Sequence, residues 1–210
     1  HRILAQETWV FGEEWTLTGD DERLYAVLKK HLALLGEDVD LAELGDVHVE
    51  DGKVAIPDLV LGRKLRTGKN QFEQLVVELK RPRHRLPGDD LDQLRKYASA
   101  ITGDERFGQP NVTWEFWLVG NATNDIVDDQ RKQPHLPYGV VQTGKYKIVV
   151  KTWAEIIGDA EHRLHFVQNS LKYTTDHDQG LESLRAKYAQ YLPEEEEEPE
   201  DRGPARLTGR

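Results

Sequence analysis

The chain has 210 residues, 31% charged and 38% apolar, with a formal net charge of −10, which suits a single domain long enough to bury a core. No apolar run approaches a membrane span or a signal-peptide core, and the absence of cysteine excludes disulfides and thiolate metal sites, so the expectation is a soluble, cytoplasmic protein. The sequence begins at His1 and contains no methionine, from which we expect a domain taken from a longer protein with further domains.

The segment Ile3 to Trp15, with its Trp9-Val10-Phe11-Gly12 cluster, predicts a short helix and turn docked on the core. Thr18-Gly19-Asp20-Asp21-Glu22 then offers capping residues and first-turn acids for a helix carrying Leu24, Val27, Leu28, Leu32 and Leu35 and closed by Gly36. From Val47 the period moves towards two, and an Asp51-Gly52 turn between Val47–Glu50 and Lys53–Val60 predicts a hairpin. Gly62 to Asn70 reads as a basic loop or turn. Gln71 to Lys80, with the β-branched run Leu75-Val76-Val77, reads as a buried strand.

Arg81 to Gly88, with Pro82 and Pro87, predicts a loop, and Asp89 or Asp90 caps a helix from Leu91 to about Ile101. Val112 to Val119 has the highest strand propensity in the chain, with Trp114 and Trp117 on opposite faces. Asp125 to Lys132 predicts a short helix stopped by Pro134, and Val140-Val141 with Tyr146 to Trp153 a second hairpin. Helices follow over Trp153 to Tyr173, with Ile156, Ile157, Ala160, Leu164, Val167 and Leu171 as its apolar side, and over Leu181 to Tyr191. His162 and His165 read as part of a solvated helix face. The domain organisation expected is 1–192 as one α/β domain and 193–210 as an acidic tail too poor in apolar residues to pack.

Charge is unevenly spread. The tail holds seven acids, Glu194 to Glu198, Glu200 and Asp201, against Arg202, Arg206 and Arg210, a net −4. Between Leu61 and Tyr97 the balance reverses: Arg63, Lys64, Arg66, Lys69, Lys80, Arg81, Arg83, Arg85, Arg95 and Lys96 outnumber the acids, as a phosphate-facing site requires.

The chemistry concentrates at the end of the buried strand. Glu78 and Lys80 share one of its faces, while Val77 and Leu79 share the other. Ile56-Pro57-Asp58 should lie at the end of a neighbouring strand, since consecutive strands are usually adjacent. Asp58 and Glu78 would then converge, and two carboxylates beside a lysine suit a hard divalent cation such as Mg²⁺. The Lys80 ammonium would stabilise phosphoryl charge or position a water. Gln93 and Tyr97, four residues apart, share one helical face.

In this order, Pro57-Asp58, Glu78-Leu79-Lys80 and Gln93-Leu94-Arg95-Lys96-Tyr97 resemble the PD-(D/E)XK nuclease superfamily, in its branch with a Gln-x-x-x-Tyr signature. The Trp9-Val10-Phe11-Gly12 segment, Arg81-Pro82 after Glu78-Leu79-Lys80, and the Gln-Leu-x-x-Tyr helix give a closer likeness, over about Ile3 to Val150, to the nuclease domain of the Shedu anti-phage defence proteins. The resemblance implies a restriction-endonuclease-like α/β core with a central mixed sheet, and Mg²⁺ (or Mn²⁺) held by Asp58, Glu78 and the Leu79 carbonyl. It implies a catalytic Lys80, with Gln93 and Tyr97 orienting the site or contacting DNA phosphate, and DNA as partner. Such domains often pair to cut two strands. An acid from the first helix often joins such sites: Glu7 is the choice here, with Glu14 and Glu22 as rivals. The competing expectation is a catalytically silent module of the same fold that binds nucleic acid or serves assembly.

Overall fold

The computed structural model describes residues 2–12, 15–20, 26–27, 56–64, 71–108, 110–171 and 177–191. The chain divides into two compact units, His1–Tyr173 and Thr174–Arg210. The second contains one described helix, His177–Tyr188, continued by a 3-10 turn at Ala189–Tyr191.

The first unit runs α1 (Arg2–Gln6), a 3-10 turn (Thr8–Phe11), β1 (Thr16–Asp20), β2 (Leu59–Lys64), β3 (Phe72–Leu79), β4 (Arg85–Leu86) and α2 (Gly88–Gly103). It continues with β5 (Val112–Gly120), β6 (Ala122–Thr123), α3 (Asp125–Arg131), β7 (Val140–Gln142), β8 (Lys147–Thr152) and α4 (Trp153–Leu171). Six strands form a mixed sheet in the order β1-β2-β3-β5-β8-β7. β1, β2 and β3 are antiparallel to one another, β3, β5 and β8 are parallel, and β7 returns antiparallel to β8. The fold is therefore α/β, with helices flanking a central mixed sheet. β3 lies inside it, and its Gln74, Leu75, Val76 and Val77 are fully buried, as its near-continuous apolar run demands.

Alternation along the strands divides the interior into two cores. Val60, Val76, Phe116, Leu118, Ile148 and Val150 pack with Leu91, Leu94, Tyr97 and Ile101 of α2 and with Val127 of α3. Leu59, Leu61, Leu75 and Val77 point the other way, against Phe11, Trp15 and Ile156. Trp114 and Trp117 fall on opposite faces as expected: Trp114 is buried in the first core, while Trp117 packs edge-on to Phe11 in the second.

Several elements differ from their sequence expectations. Thr18-Gly19-Asp20 is strand, not helix cap, because the pairing of β1 with β2 and the bond from the Thr18 hydroxyl to the Val60 carbonyl (2.9 Å) outweigh local capping. Gly19 is required there, since an added Cβ would lie 2.4 Å from Val27 Cγ2. The strand expected to end at Val60 instead starts at Leu59 and runs through Gly62 to Lys64, part of the expected loop. Pro57, having no N–H to give, stands ahead of the ladder.

The expected loop 81–88 contains β4, which pairs parallel to β6. α2 begins at Gly88 with Pro87 at its cap, so Asp89 and Asp90 lie in the first turn instead of capping it. Of the expected α4 stripe, Ile156 and Ala160 are buried and Ile157 and Leu164 are exposed, while the side chains of Val167 and Leu171 lie outside those described. The predicted Asp51-Gly52 hairpin, most of the helix ending at Gly36 and the tail lie outside the described residues.

Candidate active site

The β2/β3 register brings the two halves of the site together. Leu59 pairs with Val77 and Val60 with Val76, so the residue before Leu59 comes level with Glu78. Opposed residues of an antiparallel pair share a face, and Asp58 and Glu78 therefore emerge on the α2 side. One hydrogen bond fixes the arrangement: the Leu79 backbone N–H donates to Asp58 Oδ2 at 2.6 Å. This end of β3 is also its carboxyl end beside parallel β5, with Leu79 opposite Val119. In open α/β sheets, ligands are commonly bound outside the carboxyl ends of the strands.

Lys80 follows at once and is anchored by its backbone. Its N–H donates to the Val119 carbonyl (2.8 Å), and its carbonyl accepts from the Trp153 indole (3.3 Å). The Lys80 ammonium lies 3.4 Å from Glu78 Oε1 and 3.5 Å from Asp90 Oδ1. The other oxygen of Asp90 meets His84 Nε2 at 2.6 Å. A continuous polar chain thus runs His84, Asp90, Lys80, Glu78, with Asp58 beside it.

Electrostatically the site carries too much negative charge for its surroundings. Burial pushes the Glu78 carboxyl up from 4.5 to about 7, and the Asp58 charge adds to the rise while Lys80 opposes it. Tyr97 of α2 is buried, and its hydroxyl makes no hydrogen bond of regular geometry, although it approaches the Ile56 backbone. Burial, and then the charges of Glu78 and Asp58, push its phenol well above the usual range.

Of the residues singled out in the sequence, Asp58, Glu78, Lys80 and Tyr97 come together. Gln93 stands one turn before Tyr97 and is exposed. Glu7 is engaged elsewhere: it accepts a hydrogen bond from the Trp9 indole at 2.8 Å, on the segment that packs against the opposite sheet face. It is not among the charges acting on Glu78, which are Asp58, Lys80 and Asp90. Glu14 and Glu22 lie outside the described residues. His162 and His165 are exposed on α4.

Asp90 is the residue that sequence reasoning missed. An aspartate in a first helical turn looks like dipole compensation, yet its spacing to Gln93 and Tyr97 puts all three on one helical face. Trp153 gave no local signal, because its contact with Lys80 spans 73 residues.

Among the described residues no group of three or more His, Asp or Glu side chains is placed to hold a metal ion. The donors present are oxygens: the Asp58 and Glu78 carboxylates and nearby backbone carbonyls. That set fits a hard cation that keeps several waters, and a cation there would relieve the strain that Glu78 shows. No helix among the described residues is long and apolar enough to cross a membrane. No family model, curated protein or solved structure compared with the chain matches it.

Proposed function

We propose that the unit His1–Tyr173 is a divalent-cation-dependent nuclease domain that hydrolyses DNA phosphodiester bonds, restriction-endonuclease-like in its core and Shedu-like in its motifs, within a larger defence protein. The observation that carries this reading is the meeting of Asp58 and Glu78 on one face at abutting strand ends, with Lys80 3.4 Å from Glu78.

Asp58 and Glu78 would hold Mg²⁺ or Mn²⁺, with the Leu79 carbonyl as a further ligand. When bound, the cation supplies Lewis-acid polarisation of the phosphoryl group and lowers the pKa of water. The chain's own residues do the rest. Lys80, held between Glu78 and Asp90, offers a fixed positive charge to the phosphoryl oxygens as negative charge develops on them. Its backbone, bonded on both sides, fixes the root of that side chain, and the contacts with Glu78 and Asp90 place the charge. Tyr97 walls the site from the α2 side, and Gln93, exposed one turn away, is available to a phosphate of the bound strand. The reading asks nothing of Glu7.

Supercoiled plasmid incubated with the protein in Mg²⁺, in Mn²⁺ and in EDTA tests it. Nicking in either cation and none in EDTA is the expected result. DNA binding without cleavage under all three conditions would replace the nuclease with the silent module, for which the engagement of Lys80 by two carboxylates is the supporting feature.

A further inference from the structure

The turn that follows Lys80 is built more rigidly than its exposure requires. Arg81-Pro82-Arg83-His84 is closed by a hydrogen bond from the His84 N–H to the Arg81 carbonyl (2.8 Å), with Pro82 at the position a proline favours. The His84 ring is held by Asp90 at 2.6 Å, and the His84 carbonyl accepts from the Asn121 N–H at 3.3 Å. β4 then locks onto β6, where Arg85 Nε donates to the Thr123 carbonyl at 2.8 Å. These contacts hold the turn at both ends.

The side chains of Arg81 and Arg83 are the exception. Both are exposed, and neither forms an ion pair or hydrogen bond among the described residues. Arg85, beyond its bond to the Thr123 carbonyl, has a long ion-pair contact to Asp125, at 3.7 Å. Three arginines in five residues repel one another, and this chain, at −10 overall, does not lack acids with which to neutralise them. A rigid frame presenting unpaired guanidinium groups matches a ligand that brings its own negative charges in a row.

We propose that the Arg81–Arg85 turn is a phosphate clamp for a nucleic-acid strand, contacting phosphates that flank the one at Lys80. This deepens the nuclease reading and rests on it for the position of the cleaved bond. Arg81 and Arg83 follow Lys80 by one and three residues, so their Cα atoms lie within about 11 Å of it. A strand carries a phosphate about every 3.4 Å of helix axis, so a neighbouring phosphate falls within guanidinium reach, where forked donors bind it well. The clamp reads charge and spacing, not sequence.

Anisotropy of a labelled 20-base-pair DNA duplex, in two unrelated sequences, measured in EDTA over 50 to 200 mM KCl, tests the clamp independently of cleavage. The variant Arg81→Ala/Arg83→Ala should bind both duplexes at least tenfold more weakly at 50 mM KCl. Its log–log salt slope should be shallower by about 1.8, at ~0.9 per lost phosphate contact. Lys145→Glu alters the net charge by the same amount just ahead of β8, at the other end of the parallel strands, and should change affinity by less than threefold. Wild-type protein that fails to bind, a double variant that matches wild type, or an equal loss in Lys145→Glu would each overturn the clamp. Binding through Arg81 and Arg83 without cation-dependent nicking would leave the clamp standing and remove the nuclease reading. Nicking by a protein whose affinity ignores both arginines would do the reverse.

Discussion

Two clusters of charge are built into this sheet, and they are balanced in opposite ways. Arg131 at the end of α3 is almost wholly buried, forks onto both oxygens of Glu155, donates from Nε to the Val150 carbonyl (3.1 Å) and lies over the Tyr138 ring. Burial works against the Glu155 charge, but the Thr152 N–H and Arg131 outweigh it and hold the carboxyl below its usual range. At the end of β3, by contrast, Glu78 and Asp90 share Lys80, Asp90 also meets His84, the Asp58 charge lies nearby, burial dominates, and Glu78 is driven up to about 7. The first cluster is complete within the protein and ties α3, β8 and α4 together. The second keeps a buried carboxylate whose charge its neighbours do not fully offset, and it is there that the proposed cation would sit.

Removing one charge from each cluster should therefore have opposite consequences. Arg131→Ala strands a partly buried carboxylate and should cost about 3 kcal/mol of stability at pH 7, by the usual penalty for breaking such a pair. Urea unfolding reads this directly, and a loss below about 1 kcal/mol would place Arg131 among weak surface pairs.

Glu78→Gln should instead stabilise the protein at alkaline pH. The folded-state pKa is raised from 4.5 to about 7, so the folded protein holds that proton more tightly than the unfolded chain. Below pH 4.5 both states are protonated and nothing is lost. As pH rises from there through 7 the unfolded chain ionises first, and stability falls by about 3 kcal/mol at ~1.4 kcal/mol per pH unit. The variant should escape this loss, gaining up to that amount at pH 8 and nothing near pH 4.5. A Glu78→Gln protein less stable than wild type at pH 8 would mean that the carboxylate is satisfied as it stands.

Cation binding sharpens the same contrast at smaller scale. At ten times its Kd, Mg²⁺ or Mn²⁺ should stabilise the wild-type protein by about 1.4 kcal/mol. Protons competing for Glu78 should shrink that gain between pH 8 and pH 5.5. Thermal unfolding with and without cation checks it, and the effect should vanish in Asp58→Asn while persisting in Arg131→Ala. Tyr97→Phe should have the smallest effect, a gain of up to about 1 kcal/mol, because it deletes a buried hydroxyl that makes no regular hydrogen bond. A loss of that size would show the hydroxyl to be bonded.

Much of this was legible in the sequence, for reasons that differ between elements. β3 and β5 announce themselves because a strand buried on both faces must be apolar and favours β-branched and aromatic residues, and α2 because Leu91, Leu94, Ala98 and Ile101 keep helical period over a full face. The meeting of Asp58 with Glu78 followed from order alone, since adjacent strands pair. The start of β2 did not, because Gly62 suggested a turn while the structure uses it to admit the Gln74 amide, 3.2 Å from where a Cβ would stand. β1 was hidden because Thr18 and Asp20 carry capping chemistry, and only a partner 42 residues away makes them a strand. Asp90 was hidden in the same way, a local role masking a tertiary one.

Whether Asp58, Glu78 and Lys80 form a hydrolytic centre is decided by cation-dependent plasmid nicking with Lys80→Ala, whose folding and DNA affinity are verified on the same preparation. Wild-type protein should nick in Mg²⁺ and Lys80→Ala should lose at least a hundredfold in rate, the scale for removing a charge that acts on the transition state, with circular dichroism unchanged and DNA affinity within a few-fold. Cleavage that depends on Mg²⁺ and survives the loss of Lys80 would contradict it.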